Sequence, residues 1–317
     1  MNAEPQHPLA FEYRAKRFGR SVLIHADAFE WMSRLPPESL DGMVLDPPYG
    51  VEEYEVNQLQ QMLSGGPGIW RIPPSFDGCK RAPLPRFTAL DEKQRGTLRT
   101  YFKDFAALAL PALKPGAHVM MAGNAFLSQL VFGAMVEGGL EFRTEVIRLV
   151  QTLRGGDKPK LGEKEFPEVA SLPRGGYEPW GLFRRPLPPK MTVRECLRIY
   201  GTGGLRHQPN GNPFSDVIQS ERTPKREREL ADHPSLKPQS LMRHLVRSIL
   251  PLGRGVLADP FAGSGSTVAA AEAVGYSCVG VERYEDYYDL AMNSIPKLRE
   301  LRVGEGLPRR TQEAMTF

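Results

Sequence analysis

Gly255-Val256-Leu257-Ala258-Asp259-Pro260-Phe261-Ala262-Gly263-Ser264-Gly265-Ser266-Thr267 decides the fold. Its apolar opening, 255–258, is too short for a helix and reads as a buried strand closing on Asp259. A glycine-punctuated loop follows, and a helix opens at Ser266-Thr267 and runs over 266–274. This is the strand–turn–helix of a dinucleotide-type site. Gly263 and Gly265 allow a ligand to approach backbone where a side chain would collide. The loop lacks the full GxGxxG spacing and the lysine of a phosphate-binding loop, so a nucleoside without a pyrophosphate suits it better. The next strand, 277–282, ends in Glu282, 23 residues after Asp259. An acid at that place can accept both ribose hydroxyls.

Far upstream a second short apolar run, Gly42-Met43-Val44-Leu45, ends in Asp46-Pro47-Pro48-Tyr49. The prolines stop the strand and hold the backbone extended. An acid and an aromatic ring then stand at a strand's C-terminal end, where open α/β sheets place their ligands. Taken alone, a Pro-Pro pair after a strand equally marks a plain loop start.

Between and around these stretches, strands are expected at 21–26, 117–122 and 142–151. Helices are expected at 28–35, 91–113, 125–137, 192–200, 236–250 and 283–298. Alternation on this scale means βαβ units and a mainly parallel sheet. Residues 1–20 read as a loosely held polar arm, and the tail after Arg302 as frayed. From 51 to 90 the pattern dissolves among glycines and prolines. Trp70, Phe76, Arg71, Lys80, Arg81 and Arg86 suit either a lid or nucleic-acid clamp over the site, or a packed surface excursion. From 151 to 232 the chain reads as irregular apart from 192–200, a second domain or a large insert.

With 317 residues, 41% of them hydrophobic and 25% charged, the chain can bury a full core and resembles ordinary globular proteins. It has no run of 18 uncharged apolar residues, and its N-terminus has no signal-peptide core. No membrane role is therefore expected, and a cytoplasmic location is. Cys79, Cys196 and Cys278 are scattered without metal spacing and read as structural in a reducing compartment. His25, beside Asp27, reads as a strand histidine. Residues 151–232 hold fifteen Lys/Arg against eleven Asp/Glu, an excess equal to the whole chain's +4. That suits either a polyanion-binding module or a solvated irregular region.

The two Asp-Pro stretches together carry a resemblance. The chain resembles the S-adenosylmethionine-dependent amino-methyltransferases of DNA, which methylate adenine N6 or cytosine N4. Residues 259–267 look like their cofactor motif, and Asp46-Pro47-Pro48-Tyr49 like their catalytic motif. His233-Pro234-Ser235-Leu236-Lys237-Pro238 looks like the element that precedes the cofactor motif. Catalytic motif first and cofactor motif last is the order of the permuted β class.

The resemblance implies an α/β, Rossmann-like methyltransferase sheet, mostly parallel and of permuted strand order, with a basic irregular target-recognition insert. Its catalytic half would span 21–150, with 51–90 as an active-site or DNA loop. The target-recognition region would span 151–232 and the cofactor-binding half 233–300. S-adenosylmethionine would be held by Asp27, Ala28, Asp46, Lys237, Ser240, Asp259, Phe261, Gly263, Gly265, Ser266, Thr267, Glu282 and Arg283. Asp46 and the Pro47 carbonyl would accept the N–H bonds of the target amine, localising its lone pair, and Tyr49 would stack on the flipped base. No metal is implied.

Asp at position 46 favours adenine, since family members acting on cytosine N4 more often have Ser there. No Pro-Cys occurs, as ring-carbon methylation would need. Double-stranded DNA is the implied partner, with Arg184, Arg185, Arg206, His207, Arg222, Lys225 and Arg226 as candidate contacts. A homodimer and a cognate restriction enzyme are further possibilities of the class. Three rivals stand: an RNA-base methyltransferase, a non-catalytic DNA- or cofactor-binding module, and more distantly a nicotinamide dehydrogenase.

Overall fold

The computed structural model describes residues 7–48, 92–150, 164–170, 175–231, 233 and 236–303. Tyr49, the 51–90 stretch and Cys79 lie outside the described residues, as do Arg154-Gly155-Gly156 and Arg174. In chain order the elements are β1 (Arg14–Phe18), β2 (Ser21–His25), α1 (Ala28–Ser33), β3 (Leu40–Leu45), α2 (Glu92–Ala112) and β4 (Leu113–Ala122). Then come α3 (Ser128–Glu137), β5 (Glu141–Leu149), β6 (Tyr177–Arg184), α4 (Val193–Ile199), β7 (Val217–Gln219) and α5 (Lys225–Leu230). The chain closes with α6 (Gln239–Ile249), β8 (Val256–Asp259), α7 (Ser266–Ala273), β9 (Ser277–Glu282) and α8 (Glu285–Arg299).

The described strands form one sheet of nine, ordered β1-β2-β9-β8-β3-β4-β6-β5-β7. Strands β2, β9, β8, β3 and β4 run parallel, whereas β1 is antiparallel to β2, and β6 is antiparallel to both β4 and β5. Alternate residues of the strands supply the two faces of the sheet, as the pleat dictates. Met43, Leu45, Val119, Met121 and Val281 pack on one face with Phe102, Phe105 and Ala109 of α2. Val44, Met120, Leu257 and Cys278 pack on the other with Leu241, Leu245 and Ile249 of α6, Val268 of α7 and Tyr288 of α8. Fully burying one such side chain is worth ~1.5–3 kcal/mol, so a sheet covered on both faces holds its central strands firmly. No helix among the described residues is long and apolar enough to cross a membrane.

The mainly parallel Rossmann-like sheet is as expected, and several segments differ, the short β7 and α5 within 151–232 among them. Part of the supposed arm is β1, whose backbone pairs with β2 and whose Arg14 bonds Glu285 and Asp289 of α8 at 2.9 and 3.1 Å. The helix expected to end at 113 and the strand expected from 117 meet directly, since β4 begins at Leu113. The largest difference is β6, inside a span that reads as irregular. Pro179, Trp180, Leu182 and Phe183 are a short buried run, and the register of β6 with β4 and β5 places it well inside the sheet. The Gly175-Gly176 and Arg184-Arg185 pairs that flank this run obscure it in the sequence. Helix α4, by contrast, stands where expected, its N-terminus held by a capping box between Thr192 and Glu195.

Candidate active site

Strands β8 and β3 are neighbours, with Met43 opposite Ala258, and from them the chain departs in opposite directions: β8 leads to β9, and β3 onward to β4. A crevice opens at the C-terminal ends of two such strands, the topological switch point of an open α/β sheet. Asp46 and Asp259 therefore come to the same crevice although 213 residues separate them.

At the β8 end, Asp259 accepts the Phe261 N–H at 3.1 Å and the Thr267 hydroxyl. It is buried, and burial pushes its carboxyl up to about 7, with the charges of Asp46 and Glu282 adding to the rise and the two hydrogen bonds opposing it. Gly265, at the start of α7, has φ +79°, and a Cβ there would lie 2.4 Å from Ile295 Cγ1. Only glycine fits that combination of handedness and contact. Glu282 is buried and accepts the Gly263 N–H at 2.8 Å through one oxygen and the Tyr284 N–H at 2.8 Å through the other.

Strand β2 runs beside β9, and Ala26 N–H bonds the Glu282 carbonyl at 3.1 Å. Asp27 caps α1 by accepting from Phe29 and Glu30 at 2.9 and 3.2 Å, and Arg283 approaches it at 3.8 Å. Buried Ala28 follows in the first turn. Phe261 packs on Phe105 with ring centroids 5.4 Å apart. Gln239 donates to the Ser266 carbonyl at 3.0 Å, which holds the first turn of α6, with Lys237 and Ser240 on either side, against the glycine loop. These residues fit an adenosine-linked sulfonium. A left-handed glycine loop leaves room for backbone approach, buried Glu282 is a carboxylate beside that loop, and carboxylates outweigh cations in the crevice.

At the β3 end, Asp46 receives the Lys237 ammonium at 2.5 Å from Nζ to Oδ2. Buried Pro47 follows it and carries the carbonyl expected to serve as second acceptor. Burial alone would lower the Lys237 pKa, but Asp46 and Glu178 outweigh it and hold it above its ordinary value. Glu178 and Arg148 are residues that the sequence reading missed. Glu178 stands near the start of β6, and because β6 is antiparallel to β4 that start lies at the crevice end of the sheet. An acid just before a buried aromatic run is the only trace it leaves in the sequence.

The same antiparallel direction carries Arg184 and Arg185 to the other end of the sheet, where Arg184 stands opposite His118. Arg184 is buried and bonds Glu141 at 2.7 Å, while Arg185 bonds the carbonyls of Pro111 and Leu113 where α2 gives way to β4. Both are committed within the fold, which leaves little of either for phosphate. Arg206 bonds the Tyr276 hydroxyl at 2.6 Å. His207, Arg222, Lys225 and Arg226 are exposed; Lys225 approaches Glu229 at 3.6 Å and Arg226 reaches the Arg302 carbonyl at 3.2 Å.

A profile of the N6/N4 methyltransferase family, described as DNA methylase, matches residues 179–293. The chain is 22% identical over 273 residues to the type II methyltransferase M2.DpnII of Streptococcus pneumoniae, covering 86% of this chain and 88% of that one. Among solved structures, the PvuII DNA methyltransferase, described as cytosine-N4-specific, is similar with a TM-score of 0.54 at 14% identity, over 90% of this chain and 89% of that chain. The M1.HpyAVI complex with S-adenosylmethionine is similar with a TM-score of 0.50 at 14% identity, over 85% and 97% of the two chains. At such identities the likeness to solved structures speaks for the fold alone.

Proposed function

The chain belongs to the N6/N4 DNA methylase family, and from that premise we propose that it methylates N6 of a flipped adenine in double-stranded DNA. S-adenosylmethionine supplies an electrophilic methyl group. The protein's part is to position and polarise the target amine, whose lone pair is delocalised into the ring. Asp46 and the Pro47 carbonyl accept its two N–H bonds and localise that lone pair, and Tyr49 stacks on the base in place of its lost neighbours. The observation that carries this reading is the meeting of Asp46 and the 259–267 loop at the ends of adjacent strands β3 and β8.

On the cofactor side, Glu282 holds the ribose, Asp27, Ala28 and Arg283 border the adenine, and Phe261 packs on it. Gly263, Gly265, Ser266 and Thr267 line the loop, and Lys237, Ser240 and Asp259 border the methionine end. Residues 151–232 carry target recognition, with exposed His207, Arg222, Lys225 and Arg226 as the favoured DNA contacts. Strand β6 within that span belongs to the sheet and serves the active site. A homodimer, a cognate restriction enzyme and a cytoplasmic location belong to the same proposal.

A second reading, cytosine N4, stands because the matching family profile spans both N6 and N4 methylation; the Asp at position 46 weighs for adenine. The test is methyl transfer from labelled S-adenosylmethionine to unmethylated duplex DNA, with product nucleosides resolved by mass. N6-methyldeoxyadenosine is expected. N4-methyldeoxycytidine would keep the mechanism and overturn the base assignment. Transfer to RNA alone would overturn the DNA assignment.

A further inference from the structure

Behind Asp46 lies a row of alternating charges that the amine chemistry does not itself require. Lys237 Nζ stands 2.5 Å from Asp46 Oδ2 and 3.9 Å from Glu178 Oε2. Glu178 is itself held, accepting the Trp180 indole N–H at 2.7 Å through Oε1 and Arg148 at 3.2 Å through Oε2. Arg148 is held in turn, donating at 3.0 Å to the Ser220 hydroxyl and at 3.0 Å to the Glu221 carbonyl. Arg148 is 6% exposed and Lys237 13%, so these charges are only weakly screened by solvent. A lone ammonium–carboxylate pair leaves both groups free to turn. A second carboxylate, fixed from behind, removes that freedom.

We propose that Glu178 is a positioning residue for Asp46: by sharing the Lys237 ammonium it fixes the orientation in which the Asp46 carboxylate meets the target amine. The proposal rests on the methyl-transfer reading for its catalytic consequence, but its electrostatic part stands on the chain alone. Among the described residues, the charged groups facing Lys237 are Asp46 from the end of β3, Glu178 from β6 and Arg148 from β5. Removing the Glu178 charge leaves two buried cations against one carboxylate. Lys237 then gives up its proton more readily, and Asp46 loses the partner that orients it.

Glu178→Gln keeps the shape and an oxygen for the indole N–H. Its kcat is expected to fall about tenfold or more, with the cofactor KM changed by less than about threefold. A new alkaline limb is expected in its pH profile, and Glu178→Asp, which restores the charge, should remove that limb. In the cofactor-free protein, acetylation of Lys237 by acetic anhydride near neutral pH, read by mass spectrometry against an exposed lysine, should rise about threefold in the Gln variant.

Wild-type kcat, pH profile and labelling in Glu178→Gln would overturn the proposal. So would equal losses in the Gln and Asp variants with labelling unchanged, the pattern of a merely structural residue. If the wild type methylated no nucleic acid, the functional reading would fall and the labelling alone would decide the proposal.

Discussion

Two parallel neighbours in one sheet end alike, Asp46-Pro47 after β3 and Asp259-Pro260 closing β8, yet their carboxyls live in opposite surroundings. Asp46 is partly open and holds an ammonium at 2.5 Å. Asp259 is buried, receives a backbone N–H and a hydroxyl, and is pushed up to about 7. The strand end fixes only where a carboxyl sits; what packs beside it decides the work it can do. Lys237, delivered by the segment before α6, pairs with Asp46 at the crevice, where the proposed function makes Asp46 the acceptor of the target amine. The α7 turn closing over Asp259 makes that carboxyl a brace for the glycine loop.

The comparison breaks most readily at Asp46. Asp46→Ala should lower kcat by on the order of 10³-fold while cofactor affinity changes by less than about threefold, read by methyl transfer and by calorimetric titration. If Asp259→Asn lowered kcat as far, the division between acceptor and brace would be wrong. Next comes the loop that Asp259 braces. Gly265→Ala must hold a left-handed backbone and force a methyl against Ile295. A loss of about 3 kcal/mol in urea unfolding is expected from strain and overpacking together.

The Asp259 carboxyl should also show itself in the pH dependence of stability. Below pH ~4 it is protonated in both states and contributes no difference. As pH rises from there to about 7 the unfolded chain releases the proton while the folded one keeps it, so stability falls; above about 7 the full penalty stands. Asp259→Asn removes that slope, and the difference in unfolding free energy between pH 5 and pH 8 should shrink by ~2 kcal/mol. An unchanged slope would mean that the carboxyl is ionised within the fold.

Which parts of this were legible in the sequence follows from how far each signal reaches. Short apolar runs closing on an acid, with glycine or proline next, are local, so β3, β8, β9 and the loop between β8 and α7 could be read directly. The family resemblance joined Asp46 and Asp259 in one site. Glu178 and Arg148 could not be found this way. Their meeting with Lys237 depends on β6 running antiparallel between β4 and β5, a long-range pairing that no local pattern encodes. The same reversal misled the reading of Arg184 and Arg185, which look like a basic patch but serve Glu141 and the α2–β4 junction. Charge counts see composition, whereas burial is decided by strand direction.

The smallest effect tests the far side of the β8 end. Glu282, the proposed ribose ligand, differs from both aspartates in bonding two backbone N–H groups, of Gly263 and Tyr284. Glu282→Gln can keep one of those bonds through its amide oxygen but turns its NH2 toward the other donor. Cofactor affinity should fall about tenfold, ~1.4 kcal/mol, with kcat at saturating cofactor within about twofold of wild type. Calorimetric titration and a cofactor-saturation curve read the two quantities separately. A fall in kcat at saturation would mean that Glu282 acts on the reacting methyl through the loop, and that the β8 end is not confined to holding the cofactor.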